Sequence, residues 1–260
     1  MGGGEGRPHE LEPRGVAGGG GVEAVGEEVL GVVAEAGGGE QVDEGVAVVH
    51  GEAAQAIIGG TVDQGDPAVL LLVSYPADQA SFETCTASLI APSVLLTAAH
   101  CLDPATHAGH AFGVFTGADA SAFPTAAALA PQLLAVKSVV VHPDYDPAPP
   151  FHADLGVVLL EEPLDRTPLP IGRGALDASI VGSEARIVGY GQTKYGELNL
   201  VKHEATTVVA ALGNDDTIVV GDGTRRSCVG DSGGPALVAQ AAHPGRLRIA
   251  LAAPTGKAAA

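Results

Sequence analysis

Ser232 stands in the stretch Ser227 to Pro235, Ser-Cys-Val-Gly-Asp-Ser-Gly-Gly-Pro, with Gly230 two residues before it and Gly233 and Gly234 directly after. Glycine admits backbone angles closed to other residues and lets a second backbone or a substrate come close. A turn of this composition aims the N–H groups of Gly230 and Ser232 at one point. Paired donors of that kind stabilise the oxyanion of acyl transfer, and losing one typically costs about 2.7–4 kcal/mol of barrier. Such a serine becomes a nucleophile only with a base beside it and a third group that orients the base. Upstream, Thr97-Ala98-Ala99-His100-Cys101 offers the base. A histidine, with an ordinary pKa of about 6.5, suits a group that takes the serine proton and returns it to a leaving amine. Asp154 opens the apolar run that ends at Leu160. It is therefore expected to be buried, where a carboxylate must have a partner. Asp144 and Asp146, in a proline-rich turn, are its rivals.

The order of these groups narrows the choice of scaffold. A serine between glycines also fits the nucleophile elbow of α/β-hydrolases, whose triad runs serine, acid, histidine. Only His243 follows Ser232, with little chain left for an acid. The opposite order, His100 then Asp154 then Ser232, is present. At these residues the chain resembles the trypsin-like (chymotrypsin-fold) serine proteases. Their Thr-Ala-Ala-His-Cys and Gly-Asp-Ser-Gly-Gly-Pro motifs are matched letter for letter, their Asp-Ile-Ala-Leu-Leu strand loosely by Asp154 to Leu160, and their mature start by Ile57-Ile58-Gly59-Gly60. The resemblance covers residues 57 to about 240.

The resemblance implies a serine endopeptidase with His100 as base, Asp154 as its orienter and Ser232 as nucleophile, with no cofactor and no metal. It implies a precursor cut before Ile57 by an activating protease, after which the new ammonium pairs with buried Asp231. It implies a disulfide between Cys85 and Cys101; closing a loop of that size contributes roughly 3 kcal/mol in the chain-entropy view. Cys228 is left over, as a family cysteine without its partner rather than a reactive thiol. His107 and His110 follow His100 closely, but no carboxylate or cysteine completes a metal set, and loop histidines are the plainer reading. Arg226, six residues before Ser232, stands in the specificity pocket where trypsins proper carry aspartate, so cleavage after Lys or Arg is not implied.

Composition sets further bounds. The chain has 260 residues and a net charge of −18, which disfavours nucleic acid as a partner and leaves protein or peptide substrates. No apolar run is long enough for a membrane span. A disulfide implies an oxidising compartment, hence a secreted or extracytoplasmic protein. The first residues nevertheless show neither a basic nor an apolar signal region, and a mis-assigned start codon would explain that. Aromatics make up only 3% and tryptophan is absent, so the core must be built from Val, Leu, Ile and Ala.

Residues 1–56 hold 11 acidic and 2 basic residues and long glycine runs. They are read as a propeptide-like segment, disordered at least over 1–45, with a transient helix at Val22 to Ala36. From Ile57 short β-rich runs separated by turns predict an all-β domain over 57–260. With the resemblance this becomes two six-stranded antiparallel barrels, about 57–165 and about 176–260, joined by a proline-rich linker. Departures gather at the end. Only 28 residues follow Ser232, and the Ser-Trp-Gly strand, a partner for Cys228 and a closing helix have no counterpart. The second barrel is therefore expected to be incomplete. The alternative function is a catalytically impaired protease-like module.

Overall fold

The structure, a computed structural model, describes residues 33–35, 57–148, 152–171, 178–193, 197, 199–213, 218–239 and 247–253. Its strands, in chain order, are β1 (Val33–Glu35), β2 (Thr61–Val62), β3 (Val69–Tyr75), β4 (Glu83–Ala91), β5 (Val94–Thr97), β6 (Ala111–Phe115), β7 (Leu134–Val141), β8 (Gly156–Leu160), β9 (Glu184–Gly189), β10 (His203–Leu212), β11 (Ile218–Val220), β12 (Gly234–Ala239) and β13 (Leu247–Ala253). The helical pieces are single turns, among them Ala99–Cys101 and Ala126–Leu129.

Strands β3, β4, β5, β8, β7 and β6 close into an antiparallel barrel. Alternate residues point inward, so Leu70, Leu72, Leu89, Leu95, Val114 and Val158 fill it, all at most 2% exposed. β3 is apolar at nearly every position because both of its faces are covered. Leu71 and Val73 pack outside the barrel against Tyr190, Leu129 and Leu200, and Val69 meets Val188 and Leu237 of the second sheet. That second contact sets one barrel against the other.

The second sheet has the order β11-β1-β13-β12-β9-β10-β2, and β11 also pairs with β10. Its core holds Ile57, Ile187, Val209, Ile218 and Ala236. β10 alternates buried and exposed residues along most of its length, the mark of a strand with one face in a core. Among the described residues β1 lies between β11 and β13. It runs parallel to both β11 and β13, so these two pairings depart from the antiparallel expectation. Paired strand edges satisfy N–H and C=O groups that an open edge would present to other chains. Val33–Glu35 is a strand where a transient helix was expected. The rest of residues 1–56, with the expected disorder, lies outside the described residues, as does His243.

Candidate active site

The turn Ala99–Cys101 carries His100 directly after β5, and Asp154 lies two residues before β8. β5 and β8 are neighbours, with Thr97 opposite Gly156, so the register alone brings the two side chains to one end of the barrel. A side chain at Gly156 would meet Leu102 and the Ala98 backbone, which explains the glycine beside this turn. Asp154 is 1% exposed. Its Oδ2 lies 2.7 Å from His100 Nδ1, and its Oδ1 accepts the His100 backbone N–H at 2.8 Å. The carboxylate thus grips ring and backbone together. It requires the ring proton on Nδ1, which puts the ring's lone pair on Nε2. Asp144 and Asp146 are exposed; the Asp144 N–H faces His142 Nδ1 and Asp146 Oδ1 accepts the Ala148 N–H. Burial first, then the charge of Asp154, pushes the Tyr145 phenol up to about 12.

Ser232, 6% exposed, belongs to the turn that leads into β12. Its carbonyl accepts the Thr86 N–H at 2.8 Å, and Cys101 Sγ lies 3.9 Å from the same oxygen. The serine backbone is therefore set against the residue following His100. Cys85 and Cys101 form a disulfide. It ties β4 to the turn that carries the histidine.

Glycines in this turn are steric necessities. Gly230 has φ +97° and Gly233 φ +79°, both in the left-handed region, and a Cβ at Gly233 would collide with the Thr97 hydroxyl and the Thr86 carbonyl. Thr86, fully buried, was not singled out by its sequence context, although its adjacency to Cys85 is a usable signal. Its hydroxyl donates to the Gly230 carbonyl at 2.9 Å and accepts the Tyr190 N–H at 3.0 Å, and its own carbonyl accepts the Thr97 hydroxyl at 2.8 Å. One residue of the first barrel so positions three segments around Ser232.

Asp231 points away from solvent, 2% exposed. Its oxygens accept the N–H groups of Gly191 at 2.7 Å and Cys228 at 2.8 Å. Side chains at Gly189 or Gly191 would overlap the carboxylate, so these glycines make its cradle. Burial outweighs the two N–H bonds and pushes its pKa up to about 7. Ile57 is fully buried in the second core and has φ +43°, a left-handed conformation rarely adopted by a β-branched residue. Cys228 is free, and burial pushes its thiol up. Arg226 is exposed, and its N–H donates to the Ile58 carbonyl at 3.3 Å.

Two clusters among the described residues have the donor types of a metal site. In the first, Cys85, His100 and Cys101, the two sulfurs are bonded to each other. In the second, Asp63, Asp66 and Glu204, protein cations are already present. Arg186 binds Asp66 through Nη1 and Nη2 at 2.5 and 2.8 Å and Glu204 at 2.6 Å, and Lys202 Nζ lies 3.4 Å from Asp63. Burial opposes ionisation of Asp66, but the Arg186 guanidinium prevails and holds it below the usual carboxylate range. His107 and His110 pack edge to face, and His107 pairs with Glu83.

The sequence matches the family described as Trypsin over residues 59–247. The chain belongs to the trypsin family. Among solved structures, one titled "Structure of GrC" is similar with a TM-score of 0.55 and 23% identity, over 75% of this chain and 93% of that one. At that identity the likeness concerns the fold. A comparison with curated proteins found no match. Membership of the trypsin family supports a serine protease in general, with proteins as the substrate class. Among the described residues no helix is long and apolar enough to cross a membrane.

Proposed function

We propose that the chain is a secreted serine endopeptidase, made as a precursor, in which Ser232 is the nucleophile, His100 the general base and Asp154 the group that orients it. The observation that carries this reading is the double grip of Asp154 on His100. In the first step Ser232 Oγ attacks the peptide carbonyl and its proton passes to His100 Nε2. The N–H groups of Gly230 and Ser232 receive the oxyanion. The C–N bond then breaks, His100 protonates the leaving amine, and an acyl-enzyme ester remains on Ser232. Water, deprotonated by His100, hydrolyses the ester and restores the serine.

Maturation by cutting the Ala56–Ile57 bond is supported from two sides. Asp231 is a buried carboxylate that accepts two backbone N–H groups, and such a charge gains most from a cation. Ile57 holds a left-handed φ, which costs on the order of 1–3 kcal/mol and ceases to be a constraint once the preceding peptide bond is gone. The freed ammonium of Ile57 is then the cation for Asp231. Arg226 in place of an acid argues against a preference for Lys or Arg on the acyl side of the cut.

A fluorophosphonate probe tests the reading. Labelling of Ser232 that disappears in Ser232→Ala and falls sharply in His100→Ala is the expected result. A chain that folds and does not react, before or after cleavage at Ile57, overturns it in favour of a protease-like module without activity.

A further inference from the structure

Followed from partner to partner among the described residues, strands of the second sheet run in a circuit. β9 pairs with β10, β10 with β11, β11 with β1, β1 with β13, β13 with β12, and β12 with β9. Five of these six strands follow Ile57 and one, β1, precedes it. The second core draws Ile187, Val209, Ile218 and Ala236 from β9, β10, β11 and β12, and it also takes in Ile57. β1 is short, yet each of its residues is opposite one in β13, and Ala34 and Glu35 are also opposite Ile218 and Val219 of β11. Ala34 is opposite Ala252, and Ala252 is opposite Gly234. One rung therefore leads from β1 across β13 to the second residue after Ser232. In the sequence Val32, Val33 and Ala34 stand between Gly31 and the run Gly37 to Gly39. A β-branched pair bounded by glycines suits a short strand.

We propose that the slot between β11 and β13 is a strand-binding site whose occupant, Val33–Glu35, stays in place after the chain is cut before Ile57, so that the mature protein has two chains joined by strand pairing. The two-chain form rests on the maturation reading above; the strand site does not. The cut falls beyond residues 36–56, so it severs the tether without touching β1. What it removes is the tether's contribution to effective concentration. What it leaves is main-chain pairing on both sides of the strand, the mode by which sheets accept an extended segment. Departure of β1 would open the circuit and present N–H and C=O groups of β11 and β13 to other chains. It would also remove a strand from around the core that holds Ile57, and from the rung that ends beside the Ser232 turn. In this reading residues 1–56 are a structural chain of the enzyme and not a segment to be discarded.

The test cuts the full chain at a chosen moment. Residues 52–56 are replaced by the recognition sequence of a site-specific protease that cuts at the end of that sequence, and the cut protein is passed through a size-exclusion column at micromolar concentration. The 1–56 fragment is expected to elute with the 57–260 chain and to part from it in urea. Ala34→Pro removes an N–H from a strand paired on both sides, and it should raise the released fraction about tenfold or more, the scale of one lost ladder bond. Val48→Pro, in the second valine-rich run of the same fragment, should leave retention unchanged. Offered to the cut complex, a labelled peptide of residues 22–45 should exchange into the slot, and the same peptide with Ala34→Pro should not; this arm decides if the Ala34→Pro chain does not fold. A cut protein that sheds its fragment, equal exchange of the two peptides, or release by Val48→Pro alone overturns the inference. Fluorophosphonate labelling is read separately. A complex that keeps its fragment and does not label retains the strand site and removes the peptidase reading; one that labels and sheds its fragment does the reverse.

Discussion

At the scale of single residues, the two buried carboxylates carry opposite loads. Asp154 is satisfied by one histidine through two bonds. Replacing it with Asn keeps the shape but turns an N–H toward His100 Nδ1 and favours the wrong tautomer. Turnover should fall about four orders of magnitude, as is typical when such an arrangement loses its acid, while fluorophosphonate labelling slows in proportion. Asp231 has its folded pKa raised, to about 7, chiefly by burial. Below about pH 4 the group is protonated in both folded and unfolded chains and pH has no effect through it. Between about 4 and 7 only the unfolded chain ionises, so the uncleaved protein should lose stability as pH rises, on the order of 4 kcal/mol across the window. Asp231→Asn should flatten that slope in urea titrations at pH 4 and pH 7. A slope that persists in the variant assigns the effect to other groups.

At the scale of elements, β4 ties the site together although none of the proposed catalytic residues lies on it. Its Cys85 anchors the histidine turn and its Thr86 holds the serine turn. Thr86→Val keeps the volume but leaves the Gly230 carbonyl and the Tyr190 N–H without the hydroxyl. A loss of about 1–3 kcal/mol is expected from the unpaired buried groups. Because Gly230 is also a proposed oxyanion donor, labelling of Ser232 should fall by more than the stability loss explains. Thermal melts and labelling rates measured side by side decide the point; a variant that is less stable but labels normally would limit Thr86 to a structural role.

At the scale of the whole molecule, the two barrels meet along Val69, Val188 and Leu237, and the ion cluster of Arg186 and Lys202 fastens the segment after β2 to the second sheet. Ile57, just before β2, lies in the second core. Cleavage between Ala56 and Ile57 is expected to be required for full activity. The residue before the cut is Ala56, so an activator specific for Lys or Arg should not serve. N-terminal sequencing of the active form should read Ile-Ile-Gly-Gly; an active form that starts elsewhere refutes this maturation route.

Much of this protein is legible along the chain because its chemistry is local. The glycines around Ser232, the alanines before His100 and the apolar run after Asp154 each describe a turn or strand, and the short β-rich runs after Ile57 mark an all-β domain. What proximity in space decides was not legible. The choice of Asp154 over Asp144 and Asp146 follows from the Thr97–Gly156 register. The link of Thr86 to Gly230 spans 144 residues. The place of Val33–Glu35 between β11 and β13 likewise follows from edge hydrogen bonds that no local pattern announces. A sequence records which groups can do chemistry and which backbone angles they require; strand register and burial decide which of them meet.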